Sequence, residues 1–288
     1  MSGKELIRKG ITNASYLAFA NFLTTFIQFL AIIYVVRFLG PENYGLWTTV
    51  TVFVGMFSVL LFQGTNKVII REGSKDVKKM HKVLDDLIGM KNFLLIISIF
   101  CCILVSFFAP YSDITKFYII LYSITLGSSS LGPFVGTIFQ ASENFKIFSI
   151  IQIFHKIFYV FLSLTSLYMG FGVIGLVFSA ILSDFTFLLI NYNISKRFVV
   201  FNFFTKLKLN LRYLKEGFTF TLIGFFETLT TRIDLLMISL LGSLEEVGIY
   251  AVSYRLATQL TKFRNVSAMA FLPIAVKYID KSKINGRD

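Results

Sequence analysis

The sequence has 288 residues, of which 55% are hydrophobic and only 15% are charged, and its mean hydropathy is +0.72. Soluble globular domains are about 45–50% apolar and about 25% charged, so this composition excludes an ordinary soluble enzyme and indicates an integral membrane protein. The net charge of +12 does not by itself indicate a nucleic-acid partner, because the positions of Lys and Arg along the chain account for most of it.

Eight apolar segments reach the length of about 20 residues that a helix needs to cross a bilayer. They are continuous and lack period-two alternation, which excludes the strands of a membrane β-barrel. We therefore expect an all-α integral membrane protein with eight transmembrane helices. The segments lie near Ala14–Val36, Tyr44–Thr65, Leu84–Ala109, Phe117–Ala141, Ile147–Met169, Val173–Ile194, Phe218–Leu241 and Val247–Val276.

The connections between these segments alternate between strongly basic and nearly neutral. The N-terminus, the connections after helices 2, 4 and 6, and the C-terminal tail hold 20 Lys and Arg, whereas the opposite connections hold only Arg37 and Lys116. Basic connections remain in the cytoplasm, so both termini are predicted to be cytoplasmic and the protein to lie in the cytoplasmic membrane. This distribution explains the charge without nucleic acid, and it makes anionic membrane lipids a secondary partner.

Helix 1 carries a polar stripe that includes Asn21 and Gln28, with Thr24 and Thr25 between them. The spacing i, i+3, i+4, i+7 places all four side chains on one face of the helix. Polar residues in membrane helices either bond to a neighbouring helix or line a cavity, and both interpretations remain open here. Asn21 and Gln28 are therefore candidate substrate-binding residues.

Helices 5 and 6 form a tight hairpin around Phe171, with Lys156 15 residues before it and Asp184 13 residues after it. The two residues lie at nearly the same depth, which predicts a structural ion pair, with a proton relay as the alternative. His81 and His155 are isolated and are interpreted as structural. Neither the histidines nor the adjacent cysteines have metal-ligand spacing, so no metal or cofactor is expected.

An internal repeat links the ends of helices 1 and 7. Each helix ends in Leu-Gly, at Gly40 and at Gly242, followed by a short acidic turn and then by Gly, an aliphatic residue and an aromatic residue. The two copies of this pattern lie about 202 residues apart. Six helices per repeat preserve orientation, so the two repeats are parallel. The predicted division is residues 1–210, a six-helix bundle, and residues 211–288, the first two helices of a second, incomplete bundle.

Helices 7 and 8 carry charges that are costly in a membrane, at about 2.5–3.5 kcal/mol each near the bilayer centre. Relative to the turn at Leu244, Arg232 and Arg255 lie at one depth, and Glu227 and Lys262 lie deeper and could neutralise each other. Intramembrane charges usually face a bundle interior or a watery cavity. The predicted site is cationic and suits an anionic cargo, with buried ion pairs as the plainer alternative; its residues are Glu227, Arg232, Asp234, Arg255, Gln259 and Lys262.

The run Arg37-Phe-Leu-Gly-Pro-Glu-Asn-Tyr-Gly-Leu-Trp47 and the run Arg232-Ile-Asp234 followed by Val247-Gly-Ile-Tyr250 resemble the polysaccharide-biosynthesis flippases. These proteins are lipid-linked oligosaccharide flippases of the multidrug/oligosaccharidyl-lipid/polysaccharide exporter superfamily. The resemblance implies two helical bundles around a central cavity, alternating access, and a lipid-pyrophosphate-linked glycan as the cargo. It implies transport rather than an enzymatic reaction.

The family that this sequence resembles usually has twelve to fourteen helices, whereas the second repeat of this sequence contains only two helices. This predicts either a fragment of a longer reading frame, which we favour, or a second chain that completes the bundle. Alternative functions are a cation-coupled drug exporter, a membrane glycosyltransferase and a non-transporting partner subunit. The exporter is expected to carry a carboxylate in the first bundle, but helix 1 has none, and the connections are too short for a glycosyltransferase site.

Overall fold

A computed structural model describes residues 3–61, 64–75, 77–203, 205 and 211–258. This part of the chain is helical and contains no β-strand, so the predicted all-α fold is confirmed for it. The helices are α1 (Gly3–Phe57), a 3-10 segment (Ser58–Leu61), α2 (Thr65–Lys75), α3 (Val77–Phe108), α4 (Asp113–Ser123), α5 (Thr125–Ala141), α6 (Phe145–Tyr168), α7 (Gly172–Ser195), α8 (Leu211–Leu241) and α9 (residues 244–258).

The described chain contains five stretches long and apolar enough to cross a membrane. The first has 52 residues and holds the first two predicted spans, so the five stretches carry six of the eight. The other two correspond to α8 and α9, and α8 is less apolar because it contains the charges noted above. The chain is therefore a multi-pass membrane protein. The stretches are Gly10–Leu61, Met80–Phe108, Asp113–Ala141, Phe145–Tyr168 and Gly172–Ser195.

Helix α1 contains the turn predicted at Gly40. Gly40 has φ 72° and ψ 173°, outside the helical region, and Pro41 follows it. Glycine adopts this φ without a steric penalty, and proline lacks the N–H group that would continue the helix. The resulting kink separates residues 3–39 from residues 41–57, which correspond to the first two predicted spans.

Two local features differ from the sequence-based expectation. The connection predicted after the second span contains a helix, α2, in which Val68 and Ile69 are buried while Lys67 and Arg71 are exposed. An amphipathic helix of this kind lies over the core without crossing the membrane. The fourth predicted span, Phe117–Ala141, is also divided, because the chain is interrupted between α4 and α5.

Helix α9 begins with a capping box. The Ser243 backbone N–H donates to Glu246 Oε2 at 2.7 Å, and the Glu246 N–H donates to Ser243 Oγ at 3.3 Å. These reciprocal bonds satisfy donors at the start of the helix. The bonds from Ser243 lower the pKa of Glu246. The cap is therefore complete above the usual pKa of glutamate and is lost as the pH falls through the lowered value.

Glycines bring the α8–α9 pair into close contact with α1. Gly45 faces the Leu244 carbonyl and Gly248 faces the Pro41 carbonyl, so closely that a Cβ on either glycine would collide with the opposite backbone. Each glycine lies four residues after the carbonyl that its counterpart meets. The two repeats therefore meet through equivalent residues, at what we call the Gly45 end of the molecule.

A second close contact lies at the other end of the same interface. Gly64, immediately before α2, faces the Gly217 carbonyl on α8, and Lys67 Nζ lies 4.5 Å from the centroid of the Phe220 ring. We call this the Gly64 end. The rest of the core forms where α1 packs along α6 and where α5 packs along α7. The space enclosed by these helices and the α8–α9 pair contains the candidate site.

Candidate functional site

A cavity of about 650 Å³ lies among the membrane helices, with walls from α1 and from α4 to α9. Three of the predicted substrate-binding residues line it: Gln28, Arg232 and Arg255. Both members of the predicted ion pair, Lys156 and Asp184, line it as well. Charges that were assigned to different parts of the sequence therefore share one space.

The wall formed by α8 and α9 is cationic. Arg232 reaches across to α1, where Gly55 leaves room for it, since a Cβ at Gly55 would collide with Nη1 of Arg232. Arg255 lies over the buried ring of Tyr44, with its guanidinium carbon 5.5 Å from the ring centroid. Among the described residues, no carboxylate oxygen lies within 4.0 Å of either guanidinium. The cavity therefore holds positive charge that the described part of the chain does not neutralise.

Tyrosines attach α9 to α8 beside these arginines. The Tyr254 hydroxyl donates to the Thr231 carbonyl at 2.8 Å, and the Tyr250 hydroxyl donates to Asp234 Oδ2. The two tyrosine rings stack, with their centroids 6.1 Å apart. Asp234 thus bonds to the neighbouring helix and does not line the cavity, which agrees with its position about 200° around the helix from Arg232.

The opposite wall, formed by α6 and α7, carries a His–Asp pair. His155 Nε2 lies 3.0 Å from Asp184 Oδ1 and 3.2 Å from Ser183 Oγ, and its ring stacks on Phe187 with centroids 4.4 Å apart. The sequence pattern assigned Asp184 to Lys156 instead. Lys156 lines the same cavity, and its Nζ lies 5.4 Å from the Tyr159 ring centroid.

The difference between the predicted and observed partners of Asp184 has a simple cause. Counting residues from a turn gives the depth of a side chain, but neighbouring residues of a helix differ in depth by only about 1.5 Å while they point about 100° apart. The count therefore could not separate Lys156 from His155. The isolated His155, interpreted as structural, is the residue that contacts the carboxylate.

The remaining predicted residues lie elsewhere. Asn21 is exposed on α1 and is not in the cavity wall. Glu227 lines a separate pocket of about 140 Å³ between α8 and the 3-10 segment. Gln259 and Lys262, and with them the proposed Glu227–Lys262 neutralisation, lie outside the described residues.

Aromatic residues were the main component that sequence analysis missed. Trp47, Tyr122, Tyr159 and Tyr254 all line the cavity, and the Trp47 and Tyr122 rings meet edge to face with centroids 5.3 Å apart. In a chain with 34 Phe and 13 Tyr, an aromatic residue in a membrane helix carries little information on its own. Their clustering around one cavity becomes visible only when the helices are placed.

The arrangement of helices is similar to that of solved transporters. A ligand-bound structure of the MATE multidrug transporter DinF-BH gives a TM-score of 0.67 at 13% identity, covering 93% of this chain and 64% of that one. An outward-facing multidrug resistance MATE family transporter of the MOP superfamily gives a TM-score of 0.59 at 16% identity, covering 90% of this chain and 64% of that one. A MOP superfamily transporter from Pyrococcus furiosus Vc1 gives a TM-score of 0.52 at 16% identity, covering 90% of this chain and 66% of that one. Its binding pocket is described as having reverse polarity.

These similarities establish the fold, and the chain spans about two thirds of the length of those structures. The fold and the charged cavity define the class of the protein as a multi-pass membrane protein with a transporter-like arrangement of helices. The sequence profile described as polysaccharide biosynthesis protein matches residues 11–279, and the chain belongs to this family. A comparison with curated protein sequences found no match.

Proposed function

We propose that the protein moves a lipid-pyrophosphate-linked oligosaccharide, a precursor of a cell-surface polysaccharide, across the cytoplasmic membrane by alternating access. The observation that carries this proposal is the pair of arginines, Arg232 and Arg255, in the cavity wall without a carboxylate partner among the described residues. Guanidinium groups bind phosphate oxygens through paired hydrogen bonds, and two of them suit the two phosphates of a pyrophosphate.

The orientation follows from the distribution of charge. The Gly64 end carries the basic connections, so we place it on the cytoplasmic side, with both termini, and the Gly45 end on the opposite side. In this proposal residues 1–210 form one lobe, and residues 211–288 belong to the second lobe. The cavity between them alternately opens to each side.

A cation-coupled drug exporter is the second candidate. Two of the similar structures are described as multidrug transporters, and Asp184 supplies a carboxylate to the cavity. Two observations favour the anionic cargo over this candidate. Asp184 is in contact with His155, and Lys156, Arg232 and Arg255 make the titratable lining of the cavity positive on balance.

Equilibrium binding tests the two candidates directly. The purified chain in lipid nanodiscs is titrated with geranylgeranyl pyrophosphate and, separately, with a cationic rhodamine dye. We expect saturable binding of the pyrophosphate, weakened at least about tenfold by Arg232→Ala or Arg255→Ala, because each substitution removes a charge-assisted contact of about 1.5–3 kcal/mol. Arg37→Ala, at an exposed position outside the cavity, should leave binding unchanged. Saturable dye binding that the pyrophosphate does not displace would favour the exporter.

A further inference from the structure

A lysine is buried behind the cavity wall, and the proposed cargo site does not use it. Lys91 lies on α3, inside the stretch Met80–Phe108 that is long and apolar enough to cross a membrane, and only 2% of the residue is exposed. Its Nζ donates to the Leu61 carbonyl at 3.3 Å and to Ser130 Oγ at 3.2 Å, and it lies 5.1 Å from the centroid of the Phe134 ring.

Every one of these partners is neutral. Across the described residues no carboxylate oxygen lies within 4.0 Å of Lys91 Nζ. A buried ammonium without a counterion is costly, because its neutral partners replace only part of its hydration. Burial away from any counterion disfavours the charged form of an amine, so a change in its surroundings can make it bind or release a proton.

The described charged residues of the adjoining elements are not among the hydrogen-bond and ring contacts of Lys91 Nζ, which are Leu61, Ser130 and Phe134. On α3 itself, Asp85 and Asp86 precede Lys91 by more than one helical turn. The contacting residues of the 3-10 segment and of α5 are uncharged. On α2, the described charges are Lys67, Arg71, Glu72 and Lys75, of which Arg71 and Lys75 are paired with Glu72.

The two residues that accept hydrogen bonds from Lys91 lie between the main cavity and the contact of Gly64 with α8. Leu61 ends the 3-10 segment, three residues before Gly64, whose backbone contact with Gly217 joins α2 to α8. Ser130 lies on α5 next to Ser129, which lines the main cavity, as does Ser58 at the start of the 3-10 segment. Lys91 therefore bonds to residues that lie between the wall of the cavity and the close approach of Gly64 to α8.

We propose that Lys91 is a proton-binding site that keeps the Gly64 end closed when it is charged and releases it when it is neutral. The ammonium has three N–H donors, enough for the Leu61 carbonyl, the Ser130 hydroxyl and the face of the Phe134 ring. Loss of one proton to water removes a donor and weakens the remaining two bonds, because bonds from a charged donor are stronger than neutral ones. The Leu61 carbonyl at the end of the 3-10 segment then loses its charged partner. This device does not depend on which cargo the cavity takes.

Distance measurements between α2 and α8 test this proposal without any ligand. Spin labels are placed at the exposed positions Ser74 and Lys215 in a chain that carries Cys101→Ala and Cys102→Ala, reconstituted in nanodiscs. The distance between the labels is measured by double electron–electron resonance from about pH 5.5 to about pH 9.5, a range wide enough to include the titration of a buried amine. We expect the distance distribution to shift to longer values as the pH rises.

Three substitutions distinguish a pH dependence caused by Lys91 from one caused by any other titrating group. Lys91→Met should show the long distances at all pH values, and Lys91→Arg should show the short distances at all pH values, because arginine stays charged. Ser130→Ala, which keeps the lysine, should shift the midpoint to lower pH by about one unit, since the charged form loses an acceptor. A pH-independent distribution in the parent chain, or a pH-dependent shift that persists in Lys91→Met, would overturn the proposal. If Lys91→Met does not fold, an unchanged midpoint in Ser130→Ala would also overturn the proposal.

Discussion

The two cavity arginines are positioned by tyrosines rather than by carboxylates. Arg255 lies over the ring of Tyr44, and the residue before it, Tyr254, is bonded to the backbone of Thr231, the residue before Arg232. One hydrogen bond therefore connects the chain segments that carry both guanidinium groups. Because neither arginine is neutralised by a described carboxylate, their donors remain available to an anionic ligand.

Removing the Tyr254 hydroxyl should weaken binding without removing a charge. Tyr254→Phe keeps the ring and its stacking on Tyr250 but loses the bond to the Thr231 carbonyl. A hydrogen bond of this kind contributes about 0.5–1.5 kcal/mol, so we expect the affinity for geranylgeranyl pyrophosphate to fall by about two- to tenfold. Tyr168→Phe, at an exposed position on α6, is the matched control. Equal affinities in Tyr254→Phe and the parent chain would mean that this bond does not position the arginines.

At the level of helices, α1 and α2 meet the α8–α9 pair through glycine at both ends of the interface. The Gly45 end has a reciprocal contact between equivalent residues of the two repeats, and the Gly64 end has a contact with the Gly217 carbonyl. Small residues, glycine above all, permit this close backbone approach at membrane helix interfaces. Alternating access in the proposed function requires one of these contacts to open while the other stays closed.

A methyl group at the Gly45 end should separate the helices there. In Gly45→Ala and Gly248→Ala the new Cβ would collide with a carbonyl of the facing helix, and overpacking of this kind costs about 1–3 kcal/mol. We expect spin labels at Asn43 and Glu245, both exposed, to move apart and thermal stability in detergent to fall. Gly224→Ala is the control, because nothing lies within 4 Å of a Cβ at that position of α8. Unchanged label distances in both glycine variants would show that this end is not tightly closed.

At the level of the whole molecule, the sequence predicted the helical fold, the turn at Gly40 and the family. It did so because length and hydropathy determine membrane helices, and because charges in such helices are rare enough to stand out. The cavity was predicted less completely. The positions of Arg232 and Arg255 follow from depth and from the face of the helix, whereas the contact of Asp184 with His155 depends on helix rotation, which depth does not give.

Lys91 was missed for a related reason. It lies shortly after a cluster of basic residues that the charge distribution assigned to a connection, so nothing in the sequence pattern indicated that its side chain is enclosed. Enclosure depends on how α3, α5 and the 3-10 segment pack together, which is a property of three elements at once. Binding of cargo by the cavity residues and the division into two lobes at residue 210 remain predictions.

The central claim is that the cationic cavity carries a lipid pyrophosphate across a membrane, and a flipping assay tests it most directly. Liposomes containing the purified chain and a fluorescently labelled geranylgeranyl pyrophosphate are treated with dithionite, which quenches only the outer leaflet. We predict that label from the inner leaflet becomes accessible with the parent chain and with Arg37→Ala, and stays protected with Arg232→Ala/Arg255→Ala. Movement of the label at the same rate with the double variant, or no movement with a parent chain that binds the lipid, would contradict the account.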